Sequence, residues 1–487
     1  MRTLEWLLLA TVAARILAML LRGESGAMWR GVAAVAAGAT LVAHLALEGP
    51  RWSMAATYAA VALAVVLLPW ERPHPKAVLL RMGRNRRLRR PLPWGRVLLA
   101  LLLWAPMAAV PVLLPVPTLP APTGPWAVGS LSFALSLPDT TRPDGGVEAD
   151  RRTMVRVWYP VDPSLGLPAD APWIERADAV LPAMARSAGL PRFVFDHLAL
   201  VRTHAAWAAP LAPAPPGGWP LATFAHGLGG FRSQNTFLAE DLASHGVVVA
   251  ALDHPGDALA TTLPDGTTLP YVGLPPAEAP GYVAAVVAMG ARWTADTLAL
   301  LRTLDALLPV GDLAAFAGEL DLERVVAMGH AAGGGVAVET CHAWDGCRAV
   351  LALDPWWAVL APVRLERGSD RPLVVVASDP ALAYFGAANA DRFDRLRAAS
   401  AAPVERVVLS GGGHHDLDDT ATLALSSLAL RLGHHVGPVD KADSFEAQRE
   451  LALALLNATA ADAEFQASTV RSAVKSPLLV DAGHGAD

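Results

Sequence analysis

The stretch Val325-Val326-Ala327-Met328-Gly329-His330-Ala331-Ala332-Gly333-Gly334-Gly335 decides how this chain folds. Val325 to Met328 is apolar and short, as a buried strand is, and Ala332 to His342 has the pattern of a helix. Between them lies a turn built from small residues. Strand, strained turn and helix in succession form the corner on which a nucleophilic serine is displayed, written G-x-S-x-G. The neighbours of that serine are small because the turn leaves no room for side chains. Here the third position is Ala331, so the hydroxyl is missing. A glycine-rich turn after a strand also suits a phosphate loop, but the G-K-[ST] ending and the dinucleotide spacing are both absent.

Outward from this corner, short apolar runs alternate with helical patterns. Strands are expected at Val155 to Tyr159, Leu221 to Phe224, Val247 to Leu252, Val325 to Met328, Ala349 to Leu353, Leu373 to Ala377 and Val404 to Leu409. Helices are expected at Phe237 to Ser244, Ala295 to Leu308, Ala332 to His342 and Thr420 to Leu432. Such alternation predicts a mostly parallel sheet covered on both faces. Trp173 to Ala208 is helical in pattern and reads as a cap or as a structural excursion. Chemistry in such a sheet sits at the carboxyl ends of the strands.

Two strand ends carry suitable groups. Asp354 closes one, in Leu353-Asp354-Pro355, and His414 follows the last core strand, in Gly413-His414-His415. Asp379 is a rival acid and His415 a rival base. The order nucleophile position, acid, histidine is that of α/β-hydrolases. An earlier strand runs into His226-Gly227-Leu228-Gly229-Gly230, whose glycines let backbone N–H groups face a developing oxyanion. The donors would be the amides of Leu228 and Ala332. No cofactor or metal is implied.

Three blocks resemble platelet-activating factor acetylhydrolase and its bacterial relatives: His226 to Arg232, Asp241-Leu242-Ala243-Ser244-His245-Gly246, and Leu252-Asp253-His254. The resemblance spans about Gly129 to Leu432. It implies a serine esterase that cleaves short or oxidised acyl chains from phospholipids without metal, with Asp354 as acid and His414 as base. Bacterial relatives include enzymes acting on other esters. Ala331 departs from the pattern, so the chain as it stands is expected to be inactive. An engineered Ser-to-Ala exchange is one source of the alanine, favoured by the intact Asp354, His414 and oxyanion turn. The alternative is a natural pseudoenzyme that binds lipid or ester ligands, or a membrane scaffold.

The N-terminal part reads differently. Leu4 to Leu21, Gly31 to Leu47, Met54 to Trp70 and Val97 to Val116 are apolar segments near the ~20 residues that cross a bilayer. Four in succession predict an all-α transmembrane domain over residues 1–118. Between the third and fourth, Arg72 to Arg96 holds nine basic residues and no acid, which places that loop in the cytoplasm. The N-terminus and everything after the fourth span are then extracytoplasmic, on a multi-pass cell-membrane protein. Arg15 and His44 are expected to snorkel or to pack inside the bundle. A Pro-rich linker over 119–126, a hydrolase domain over 127–436 and a C-terminal tail over 437–487 follow. The tail has one amphipathic helix, Phe445 to Leu456, and little further order.

Composition agrees. The chain has 487 residues, of which 53% are hydrophobic and only 17% charged, and the apolar excess is concentrated in those N-terminal segments. Abundant Ala, Arg and Pro suit a GC-rich bacterial source. A net charge of −6 gives no pull toward nucleic acid, so the expected partners are an ester or lipid substrate and the membrane. Oligomeric state is not legible. Cys341 and Cys347 are either buried thiols or a local disulfide, the latter if this region lies outside the cytoplasm.

Overall fold

The structure is a computed structural model that describes residues 2–21, 23–67, 94–141, 147–306, 311–422, 435–460, 470 and 474–481. The chain divides into two units, one of Met1–Pro117 with Asp196–Leu200 and one of Thr118–Phe195 with Val201–Asp487.

The larger unit is built on a ten-stranded sheet. In chain order the strands are β1 (Ala127–Ser136), β2 (Arg152–Val161), β3 (Ala205–Trp207), β4 (Trp219–Ala225), β5 (Val248–Leu252), β6 (Leu320–His330), β7 (Cys347–Leu353), β8 (Leu373–Ser378), β9 (Val404–Leu409) and β10 (Leu479–Asp481). Their spatial order is β10-β9-β8-β7-β6-β4-β5-β2-β1-β3. The run from β5 through β4, β6, β7 and β8 to β9 is parallel, whereas β2 joins β1 and β5 antiparallel and β10 joins β9 antiparallel. Central strands such as Leu373–Ser378 are buried along their whole length. That is why they read as continuous apolar runs rather than alternating ones.

The register brings the strand ends together: His330 lies beside Leu353, Leu353 beside Val376, and Val376 beside Val407. The loops that leave β6, β7 and β9 therefore open at one edge.

All seven expected strands are present. The helix expected at Ala295 begins earlier, at Tyr282–Asp305. It is long and apolar enough to cross a membrane by length and composition. Its apolar side, with Met289, Trp293, Leu300 and Leu301, is buried in the globular core instead. The helix expected at Thr420 to Leu432 lies mostly outside the described residues; Asp419–Thr422 is a 3-10 turn.

Two boundaries shift. The Pro-rich stretch is extended but docked: Thr123 N–H donates to Asp241 Oδ1 (2.8 Å), Gly124 N–H to Ser244 Oγ (2.9 Å), and Arg449 to the carbonyl of Ala121 (2.9 Å). The tail is likewise part of this unit. Lys441–Ala460 buries Phe445, Leu451 and Leu455 in the main core, and β10 extends the sheet. A three-residue strand is too short for an alternation signal, so only pairing reveals it. Cys341 and Cys347 form a disulfide.

In the smaller unit, Thr3–Leu20, Ser25–Leu47 and Trp94–Leu113 are each long and apolar enough to cross a membrane, and Trp52–Val66 is a shorter apolar helix. The basic stretch of residues 68–93 lies outside the described residues. One end of this helical group is pinned by charge. Arg2 hydrogen-bonds the Glu48 and Gly49 carbonyls and pairs with Glu5. Arg51 pairs with Glu5 (2.9 Å) and donates to the carbonyls of Pro111 (2.9 Å), in the last turn of Trp94–Leu113, and of Leu114 (2.7 Å), just past it. The start of the first helix, the end of the second and the end of Trp94–Leu113 thus share one side. His44 packs inside, between Glu48 (2.9 Å) and the Tyr58 hydroxyl (2.7 Å), and Arg15 donates to the Arg30 carbonyl (2.9 Å).

Candidate active site

Strand β6 ends at His330, and the next residue turns sharply. Ala331 has φ +53° and ψ −119°, a region that costs a non-glycine residue of order 1–3 kcal/mol. Three backbone hydrogen bonds hold it there: Ala331 N–H to Leu353 O (2.9 Å), and Ala331 O from Gly334 N–H (3.0 Å) and Trp356 N–H (2.8 Å). The turn's glycines answer to space. A Cβ on Gly329 would lie 2.2 Å from Gly333 O, and one on Gly333 would lie 2.0 Å from Ala225 O. A helix, Ala332–Ala343, follows at once. Its first amides, Ala332 among them, have no partner within the helix.

The acid and base meet across the end of β8, which lies between the two strands that carry them. His414 Nδ1 is 2.7 Å from Asp354 Oδ2, and Asp354 Oδ1 accepts from the N–H and the hydroxyl of Ser378, at 3.0 Å each. Burial alone would raise the Asp354 pKa, but these hydrogen bonds and the neighbouring imidazole hold the carboxyl below its ordinary value. A carboxylate on Nδ1 fixes the proton there and leaves the Nε2 lone pair of His414 free to accept another. Tyr384 stacks on the His414 ring at 4.4 Å.

The rivals have other partners. Asp379 caps the turn that follows β8, accepting from Ala381 N–H (3.0 Å) and Gly411 N–H (2.9 Å). His415 Nδ1 lies 2.9 Å from Asp418 Oδ2. Burial opposes charge on His415, but Asp418 outweighs it and raises the pKa, while Asp418 is held far below the carboxylate range.

The turn His226 to Gly230 faces the corner. A Cβ on Gly227 would lie 3.2 Å from the Ala331 methyl. Gly229 N–H donates to Asp257 O (2.9 Å) and Gly230 N–H to Gly227 O (2.8 Å). Among the described residues no protein acceptor engages the Leu228 amide, which lines the cavity as Ala332 does. Behind the turn, His226 is fully buried, which pushes its pKa down to about 3 with help from His254. It is neutral, with Nδ1–H donating to Gly227 O (2.7 Å) and Nε2 accepting from His254 N–H (3.1 Å).

These groups border a cavity of about 620 Å³, within the ordinary range for small-molecule sites. Its walls are apolar and aromatic, with Leu228, Phe231, Tyr271, Tyr282, Trp356 and Phe385. Met184 and Ser187 of the helix Ala177–Ser187 also line it, so the Trp173 to Ala208 segment does reach over the site, through one helix rather than along its length. Sequence reading missed Gln234, His330 and Asp418, which also line the cavity. Their only signal was proximity to the motifs.

Among the described residues, Glu5, His44 and Glu48 bring ligand atoms within 4.8 Å of one another. The Glu5 carboxylate, however, is already compensated by Arg2 and Arg51.

The chain compares with known proteins as the site suggests. A family model described as platelet-activating factor acetylhydrolase, isoform II, matches residues 115–265. That match includes the His226 to Gly230 turn and stops before Ala331. Platelet-activating factor acetylhydrolase of Cavia porcellus is 25% identical over 366 residues, 70% of this chain and 77% of the relative. The protein of the same name from Canis lupus familiaris is 26% identical over 252 residues, 47% of this chain and 55% of the relative. A solved ferulic acid esterase from Streptomyces cinnamoneus has the same fold, with a TM-score of 0.55 and 24% identity over 70% of this chain and 93% of that one. The nucleophile corner, the acid–base pair, the oxyanion turn and the relatives together support a hydrolase of the α/β-hydrolase fold that is similar to the platelet-activating factor acetylhydrolases.

Proposed function

We propose that the cavity binds a lipid-like or short-acyl carboxylic ester, and that Ala331 leaves the site unable to form an acyl-enzyme. One observation carries this reading. The nucleophile corner holds its strained φ of +53° beside a complete His414–Asp354 pair, yet presents only a methyl group. The ester carbonyl would sit against the amides of Leu228 and Ala332, which stabilise charge on its oxygen. Asp354 would orient His414, whose Nε2 would take the proton of an attacking hydroxyl. With no hydroxyl, binding and polarisation remain and covalent turnover is lost. The intact surroundings favour an alanine exchanged for serine over a natural ligand-binding pseudoenzyme, since a site released from catalysis tends to lose more than one part. Ester hydrolysis by an Ala331→Ser chain tests the reading; a folded, inactive serine form favours the pseudoenzyme.

The N-terminal helices act as a multi-pass membrane anchor that puts the site at a lipid surface, with the hydrolase unit outside the cytoplasm. Support comes from three helices of spanning length, the basic loop before Trp94, and the charge-pinned end that gathers the N-terminus and the exit of Trp94–Leu113 on one side. The Cys341–Cys347 disulfide agrees with an oxidising compartment. Protease added to intact cells should digest the hydrolase unit. A protected hydrolase unit with a cleavable basic loop would reverse the orientation.

A further inference from the structure

Gln234 belongs to none of the motifs, yet its side chain touches three of the four loops that make the site. We propose that Gln234 is a positioning residue that holds the oxyanion turn, the nucleophile corner and the base loop in one register; this rests on the ester-site reading above. Its Oε1 accepts from Gly227 N–H (2.8 Å), in the oxyanion turn. Its Nε2 donates to His330 Nδ1 (2.8 Å), next to Ala331, and to Asp418 Oδ2 (3.0 Å), in the loop after His414. Its main-chain carbonyl accepts from Asp419 N–H (3.0 Å) in that same loop.

The amide fits one way only. Reversed, it would set its NH₂ against the Gly227 N–H and its oxygen against the Asp418 carboxylate. With the amide so oriented, His330 must present a lone pair at Nδ1 and carry its proton on Nε2. That Nε2–H then donates to the backbone carbonyl of His414, 3.1 Å away. His330 is buried and its pKa is pushed down to about 3, so it stays in this neutral form at every ordinary pH. A continuous line of hydrogen bonds thus runs from the oxyanion turn through Gln234 and His330 to the backbone of the base. Gly230 is part of the device: a Cβ there would lie 2.2 Å from Gln234 Oε1. The site is 1% to 7% exposed at His330, Gln234 and Asp354, so water is not at hand to replace a lost partner.

The test uses the full chain in detergent. In an Ala331→Ser background, Gln234→Leu should lower kcat on a short-chain p-nitrophenyl ester about 10²-fold, the scale for small misplacements of reacting groups, with KM little changed. Gln234→Glu has the same shape but lacks the two N–H donors, and should lose a comparable factor. In the Ala331 chain, nitrogen NMR of labelled histidine should show His330 as a neutral Nε2–H tautomer that does not titrate across about pH 5 to 8. Gln234→Leu should shift the His330 Nδ1 resonance, because that lone pair loses its donor while Nε2–H keeps the His414 carbonyl. Unchanged kcat in both variants overturns the proposal, even if melting temperature falls, because a merely structural glutamine would behave so. An unchanged His330 signal in Gln234→Leu also overturns it. If the Ala331→Ser parent has no turnover, the ester reading fails by itself, and the NMR comparison still decides the role of Gln234.

Discussion

Restoring a hydroxyl at position 331 is the sharpest perturbation available. Ala331→Ser adds one oxygen to a residue that already lines a cavity of about 620 Å³. Serine and alanine share the strain at φ +53°, so the change in stability should stay below about 1 kcal/mol. The new hydroxyl would find its partner in His414 Nε2, because Nδ1 is already committed to Asp354 at 2.7 Å. Loss of the nucleophile from a serine protease costs about 10⁶ in kcat, with ~10³–10⁴ over water left from the oxyanion hole and binding. The gain expected on restoring serine is of that order, roughly 8 kcal/mol of barrier. Hydrolysis of a short-chain p-nitrophenyl ester and of an acetylated phospholipid, by both chains in detergent, gives the comparison. The alanine chain should bind the ester and show almost no turnover. Full turnover by the alanine chain would refute the nucleophile-corner assignment outright.

Three further outcomes are expected. In the Ala331→Ser chain, Asp354→Asn should cost about 10⁴ in kcat by releasing the His414 tautomer, whereas Asp379→Asn should spare kcat and lower only the melting temperature; equal losses would remove the distinction drawn between the two acids. Acid should destabilise the hydrolase unit: His226 and His330 have folded pKa values of about 3 against an ordinary 6.5, so below pH 6.5 the unfolded chain takes up protons that the folded chain refuses. Stability then falls with pH until about pH 3, by about 2 kcal/mol for each histidine at pH 5, which is 1.5 units at 1.36 kcal/mol per unit. The lowered Asp354 pKa acts in the same direction only below its ordinary 3.8, and the raised Asp253 and Asp419 values oppose the loss; a urea midpoint unchanged between pH 7.5 and 5 would contradict the dominance of the two buried histidines. Reduction of the Cys341–Cys347 bridge, with its sequence separation of 6, should cost about 2 kcal/mol on the loop-entropy scale; a melting temperature indifferent to reductant would show that the closed loop contributes nothing.

Much of this protein is local and therefore legible in the chain. Val325 to Gly335 specifies strand, turn and helix because the turn excludes side chains, and the bulk of Gly333 O against Gly329 is the structural counterpart of that rule. Buried parallel strands such as Leu373–Ser378 are apolar on both faces, so composition alone finds them. The N-terminal helices announce themselves by length. The same signal misleads at Tyr282–Asp305, because a helix apolar enough for a membrane is equally suited to a protein core, and only the burial of its Met289 and Trp293 against Ala225, Ala332 and Val336 separates the two. Asp354 and Asp379 both stand at strand ends, and nothing in sequence says which points to His414. Asp354, at φ +38°, places its carboxylate on the His414 ring, while Asp379 spends both its oxygens on backbone N–H groups, of Ala381 in its own turn and of Gly411. Gln234, 180 residues and more from Asp418 in the chain, acquires its role only when sheet register brings the oxyanion turn, the corner and the base loop to one edge. Hydrogen-bond partners distant in sequence leave no periodicity, and tertiary structure alone chooses among them.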